Sequence, residues 1–149
     1  MRNLLIVFSL LLVLGSCKKN KVDPDENLTS SQLLSRNAWK LDRYTDTSGK
    51  TISDGNLNAS AIVLYQMLFE FRENQETRAI EKVSKTVINR GTWNLLEDNK
   101  VLDINIVGFQ GKFKIVVLQK GKLTLQASTG NFLSGVGSEL NMEFSESPN

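Results

Sequence analysis

Apolar and polar residues alternate along most of this chain, from Trp39 to Phe144. A period of two is typical of β-strands that bury one face. Turn-forming residues interrupt the alternation often, so about eight short strands are predicted, with no sustained helix among them. The predicted inward positions are Trp39 and Leu41; Met67, Phe69 and Phe71; Gly91, Trp93 and Leu95; Leu102, Ile104 and Ile106; Phe113, Ile115 and Val117; Leu123, Leu125 and Ala127; and Leu140, Met142 and Phe144. In Thr77–Val83 the alternation is weak, and no inward face is assigned.

The connections between these strands predict how they are arranged. Asp98-Asn99 and Lys120-Gly121 are typical of tight hairpin turns, because Asn, Asp and Gly tolerate positive φ. Strands joined by hairpins run antiparallel in up-and-down order, and closure into a barrel removes the exposed edges of an open sheet. The predicted fold class is therefore all-β, an antiparallel up-and-down eight-stranded barrel over residues 28–149. Such a barrel either fills its interior with side chains or holds one small ligand.

Several segments outside the strands are less regular. Leu28–Leu34 combines N-cap hydroxyls with an apolar pair, which predicts a short helical lead-in placed to close one end of the barrel. Ala59–Tyr65 is short and apolar, and either a helical turn or the start of a strand fits it equally well. Thr45–Asn58 and Ser128–Gly137 are rich in turn-forming residues and are predicted to be long loops.

The N-terminus has the pattern of a secretory signal. A cationic start precedes the uncharged apolar run Leu4–Leu14, which is shorter than the roughly 20 residues needed to span a bilayer. We therefore expect residues 1–16 to be a signal peptide. Lys18–Asn27 is too polar to bury a core, so residues 17–27 are expected to form a tether before the barrel domain.

Cys17 is the only cysteine, so it has no partner for an intramolecular disulfide. Leu14-Gly15-Ser16-Cys17 resembles the lipobox of bacterial lipoproteins. The resemblance implies cleavage before Cys17, lipidation of its sulfur, acylation of its amine and a location in the cell envelope, with Lys18 pointing to the outer membrane. The alternative is that Cys17 merely ends an ordinary signal region. Three nearby lysines either contact anionic headgroups or belong to a solvated tether: Lys18, Lys19 and Lys21.

Composition limits the chemistry. The chain has 149 residues, a formal charge of +2 and no histidine. So small a net charge argues against a nucleic-acid partner, because a surface that binds nucleic acid needs clustered Lys and Arg in excess. Without His, and with Cys17 committed to lipid, His-based triads, thiolate catalysis and Cys or His metal sites are excluded. Glu70 and Glu73 come nearest to a catalytic carboxylate pair, but their setting favours solvation. We expect a monomeric non-enzyme without a cofactor or metal.

The chain also resembles the small lipocalin-like lipoproteins of bacteria. The resemblance rests on Cys17 and the tether, Asn37-Ala38-Trp39-Lys40-Leu41, Phe69-Glu70-Phe71, and Gly91-Thr92-Trp93-Asn94-Leu95 followed by Asp98-Asn99 and Leu102. It covers roughly residues 33–143 and implies a lipocalin-like barrel that binds a small apolar molecule. Better-known lipocalins carry Gly-x-Trp on the first strand, whereas here that motif lies in mid-chain.

Two functions follow as hypotheses. In the first, the barrel binds a small apolar molecule, and five aromatic side chains are candidates to line the cavity: Trp39, Phe69, Phe71, Trp93 and Phe113. In the second, the same aromatics are core, and the filled barrel is an interaction module whose loops contact another envelope protein or a glycan. A pocket of about 300 Å³ or more, open at one end, would favour the first.

Overall fold

The computed structural model describes residues 28–128 and 139–147. Within them, eight antiparallel strands form a closed barrel in sequence order, and β8 pairs with β1. The strands are β1 (Ala38–Thr45), β2 (Met67–Phe71), β3 (Glu76–Glu81), β4 (Val87–Leu96), β5 (Val101–Ile106), β6 (Phe109–Gln119), β7 (Lys122–Ser128) and β8 (Glu139–Ser147). The predicted fold class is confirmed. The expected signal peptide (1–16), Cys17, the tether (17–27) and nearly all of the loop Ser128–Gly137 lie outside the described residues.

Helix α1 (Ser30–Ser35) precedes β1 and crosses one end of the barrel, which we call the α1 end. A capping box begins it: the Thr29 hydroxyl accepts from the Gln32 amide, and the Gln32 side chain accepts from the Thr29 amide. The helix contacts β2 and β6, on opposite sides of the barrel, and Leu34 is fully buried. Trp39 Nε1 donates a hydrogen bond of 2.9 Å to the Leu34 carbonyl. The predicted lead-in is confirmed, and it closes this end.

Helix α2 (Ala59–Leu64) lies in the β1–β2 connection, at the opposite end, which we call the α2 end. The Asn58 side chain caps it by accepting from the Ala61 amide at 2.9 Å. Two residues of this helix, Ala61 and Leu64, are buried and belong to the core. The alternative left open by the sequence is therefore settled as a helix, preceded by a single 3₁₀ turn at Asp54–Asn56.

The interior of the barrel is filled by side chains from all eight strands. At its centre Phe69, Phe109, Phe113 and Phe144 pack together, with ring centroids 4.7 Å apart for Phe69–Phe109 and 5.0 Å apart for Phe109–Phe113. Phe144 lies 6.3 Å from Phe69 and 6.4 Å from Phe109. Offset and edge-on aromatic contacts of this kind add to the gain from burying apolar area. These four rings are therefore part of the packed core of the barrel.

A β-bulge corrects one predicted inward position. Between Ile115 and Val117 the register of β6 against β7 shifts, and Val116 is the extra residue. Leu118 then lies opposite the buried Leu123 and packs on the core. Val117 faces the other side of the sheet, so its predicted inward position was wrong.

The predicted hairpin turns are confirmed. Asp98 and Asn99 have φ values of 53° and 66°, and the Lys100 amide donates to the Glu97 carbonyl at 3.1 Å. Glu97 also has positive φ, at 52°, so this turn sits within a four-residue connection between Leu96 and Val101. Lys120-Gly121 forms a two-residue connection between paired residues 119 and 122. Both hairpins are at the α1 end.

Candidate functional site

The five aromatic candidates all lie in the core, at most 2% exposed: Trp39, Phe69, Phe71, Trp93 and Phe113. Phe71 and Trp93 pack edge to face, with centroids 5.8 Å apart, and Trp93 Nε1 donates to the Arg72 carbonyl at 2.9 Å. Trp39 is tied to α1, as described above. Phe69 and Phe113 belong to the central aromatic cluster. Of the five, only Phe69 borders the cavity described next.

A cavity of about 270 Å³ opens at the α2 end of the barrel, above the central aromatic cluster. Its floor is formed by Phe69, Ala79 and Phe109, and its walls come from α2, the start of β2, β4 and the β5–β6 hairpin. These walls are Ser60, Val63 and Leu64 of α2 with the adjoining Met67; Ile88 and Asn89 of β4; and Val107 and Gly108 of the β5–β6 hairpin. The volume lies just below the range of about 300–1,000 Å³ typical of pockets for drug-sized ligands. It is also below the size of about 300 Å³ expected above for a ligand-binding barrel, so a bound molecule would have to be smaller than drug-sized.

The cavity opens where β4 separates from β5. These two strands pair from Thr92 onward, whereas the first part of β4, Val87–Gly91, pairs with β3 alone. A Cβ on Gly91 would lie 2.0 Å from the Asn105 carbonyl oxygen, so only glycine allows this close crossing of β4 over the end of β5. Across the resulting gap, Asn89 Nδ2 donates to the Val107 carbonyl at 3.3 Å.

The rim of the cavity is apolar and exposed to solvent. Val63 is 46% exposed, Ile88 50% and Val107 74%, and these three side chains come from α2, β4 and the β5–β6 hairpin. Large apolar side chains scattered singly over a surface are ordinary, but a group around a concave opening is a candidate binding site. Among the residues that the structure describes, the polar side chains at this opening are those of Ser60 and Asn89.

Sequence reasoning missed most of this site. Val63 and Leu64 lie in the segment whose structure was left open, and Val107 and Gly108 lie between Ile106 and Phe113, where no inward position was predicted. Phe109 was missed as a core residue for the same reason. A usable signal was present at Val87-Ile88, where two adjacent apolar residues break the alternation of β4.

Glu70 and Glu73, the acidic residues considered for catalysis, do not line this cavity. Glu76 instead accepts hydrogen bonds from Arg78, at 2.9 and 3.1 Å, and from Arg90, on the outer face of β3 and β4. These guanidinium hydrogen bonds, that of Arg78 foremost, lower the pKa of Glu76 to about 2. Within residues 28–128 and 139–147, no group of acidic residues is placed to hold a metal ion. The cluster is a surface ion-pair network.

No protein-family model matches the chain, and no curated protein shows significant similarity to it. In the described part of the chain, none of the helices is both long and apolar enough to cross a membrane.

Proposed function

We propose that this protein is a lipid-anchored, non-catalytic barrel of the bacterial cell envelope that binds a small apolar molecule at the α2 end. The observation that carries the proposal is the apolar cavity with its exposed rim of Val63, Ile88 and Val107. Burying apolar ligand surface there contributes about 25 cal/mol per Å². The site lies at the mouth of the barrel, because the centre is already occupied by aromatic side chains.

The anchor is supported by the sequence at Cys17. Diacylglycerol on its sulfur and an acyl chain on its amine are enough for stable anchoring, whereas a single chain is not. The tether of residues 18–27 spans at most about 35 Å and joins the barrel at the α1 end. The cavity lies at the opposite end, so an anchored barrel standing on its α1 end presents the cavity away from its own membrane.

The filled interior favours a second candidate, an interaction module. In that case Val63, Ile88 and Val107 would form an apolar contact patch for another envelope protein rather than a ligand rim. The two candidates differ in what the patch must do: a ligand site needs the cavity to stay open, whereas a contact patch does not.

Native mass spectrometry of the protein, recovered from its host envelope and released from detergent in the instrument, tests the proposal. The expected result is a stoichiometric small-molecule adduct that disappears on denaturation. Ile88→Trp, which narrows the opening from a half-exposed position, should lose the adduct. Val116→Trp makes a comparable change at the bulge of β6, also half-exposed and away from the cavity, and should keep it. A clean apo mass after exposure to host lipid extract would contradict ligand binding and favour the interaction module.

A further inference from the structure

The walls and floor of the cavity at the α2 end contain no ionisable side chain among the described residues. The polar side chains that line it in the described part of the chain are a serine and an asparagine, Ser60 and Asn89. The ten residues that connect β7 to β8 are outside the described part, but none of them is Asp, Glu, Lys or Arg. A charged ligand group inside this cavity would therefore lose its hydration without gaining a counter-charge.

Charged side chains on neighbouring segments are engaged elsewhere. Lys82, which follows β3 at this end, donates through Nζ to the Tyr65 carbonyl. Arg90, the next residue after Asn89, pairs with Glu76 on the outer face of the barrel. Neither cation borders the cavity. Lys82 and Arg90 therefore supply no fixed charge to the cavity wall that would select an anionic ligand.

Neutral hydrogen-bonding capacity is nevertheless present at the opening. Asn89 uses Nδ2 to reach the Val107 carbonyl, and its Oδ1 has no hydrogen-bond partner among the described residues. The Ser60 hydroxyl likewise makes no hydrogen bond within the part of the chain that the structure describes. A ligand hydroxyl at the opening can donate to Asn89 Oδ1 or accept from Ser60, while the apolar part of the ligand contacts the exposed rim side chains Val63, Ile88 and Val107.

We propose that the ligand class of this site is the uncharged amphiphile: an apolar body that carries at most a neutral hydrogen-bonding group such as a hydroxyl. This inference rests on the proposed ligand-binding function and narrows it. Fatty acids in their ionised form and alkylammonium ions are bound more weakly than the alcohol of the same chain length, because each buries its charge next to an uncharged wall.

Isothermal titration calorimetry of the purified protein with 1-octanol, octanoate and octylammonium at neutral pH tests this directly. We expect saturable one-site binding of 1-octanol, at least tenfold tighter than that of either ion. Octanoate or octylammonium binding as tightly as 1-octanol would overturn the neutral ligand class and leave the ligand-binding function standing. Absence of saturable binding for all three probes would overturn both.

A charge placed in the wall gives an independent test. Ile88→Lys adds a cation at a half-exposed lining position, and it should strengthen octanoate binding at least tenfold relative to 1-octanol. Ile88→Gln alters polarity without charge and should leave the preference for 1-octanol. Val116→Lys adds the same charge on β6, outside the cavity, and should change neither ligand. Unaltered octanoate binding in Ile88→Lys would show that charge in the wall does not set the ligand class, and would overturn the inference.

Discussion

The hydroxyl of Tyr44 donates a hydrogen bond of 3.0 Å to the carbonyl oxygen of Ala61, and this bond joins β1 to α2 inside the barrel mouth. Tyr44 is fully buried, and its ring also meets the ring of Tyr65 edge to face, with centroids 5.4 Å apart. Burial raises the pKa of the Tyr44 phenol far above its usual range, so the group remains a neutral donor. Because α2 forms one wall of the cavity, Tyr44 positions part of the proposed site without itself lining the cavity.

Tyr44→Phe should therefore loosen α2. The substitution removes the donor and leaves the buried Ala61 carbonyl unpaired, which costs about 1–3 kcal/mol. Chemical denaturation measures this loss. Tyr65→Phe is the comparison variant: it keeps the edge contact of the rings and removes only the hydrogen bond of the partly buried Tyr65 to the Tyr44 backbone, so its loss should be smaller. Equal losses for the two variants would contradict a tethering role for the Tyr44 hydroxyl.

Gly91→Ala should be severely destabilising. The new Cβ would lie 2.0 Å from the Asn105 carbonyl oxygen, and backbone atoms on both strands must move to relieve the overlap. We expect a loss of at least about 2 kcal/mol in the free energy of unfolding, in the range of overpacked cores. Gly55→Ala is the control, since its Cβ would meet nothing within 4 Å, and it should stay within about 0.5 kcal/mol of the parent. A mild effect at Gly91 would show that β4 and β5 can separate freely.

The ion pairs of Glu76 should make the stability of the fold depend on pH in the acid range. Its pKa is lowered from 4.5 to about 2 in the folded protein by hydrogen bonds from Arg78 and Arg90. A lowered folded-state pKa stabilises the fold above the unfolded value, and the contribution is lost as pH falls from about 4.5 towards 2. The difference in unfolding free energy between the parent and Glu76→Gln should shrink over that interval. Glu73→Gln is the control, because it makes the same charge change at an exposed turn residue that has no ion pair among the described residues. Matching profiles for the two variants would contradict the ion-pair network.

Lipidation is tested at Cys17. Cys17→Ala should prevent labelling by radioactive palmitate and leave the precursor uncleaved, because the sulfur that receives the lipid is gone. Ser16→Ala keeps a small residue before the cleavage site and should be labelled and processed normally. Palmitate labelling that persists in Cys17→Ala would place the lipid elsewhere and remove the basis for the proposed anchor.

Much of the fold could be predicted from local pattern. Period-two alternation located the strands, and the turn residues at Asp98-Asn99 and Lys120-Gly121 fixed the antiparallel order. The bulge at Val116 could not be predicted, because one extra residue in a continuous apolar run leaves no mark on the alternation. The sequence could not decide between a helix and a strand at Ala59–Tyr65, because a short apolar segment suits both. The structure shows the helix together with its Asn58 cap.

The candidate site was harder to predict than the fold. Aromatic residues were expected to line a cavity, yet those that fill a barrel also alternate with period two, so pattern alone does not separate lining from core. The cavity arises from the separation of β4 and β5 at Gly91 and from the position of α2 above the barrel. Both are relationships between distant segments, which no local window contains.

The central claim is that a small apolar molecule binds at the barrel mouth, above a filled interior. Methyl-selective NMR of the protein titrated with 1-octanol tests it most directly. Saturable shifts are expected for the methyl groups of Val63, Ile88 and Val107, while those of Val116 should remain unchanged. Unchanged methyl signals at the three rim residues, or larger shifts at the interior Leu125 than at the rim, would contradict it.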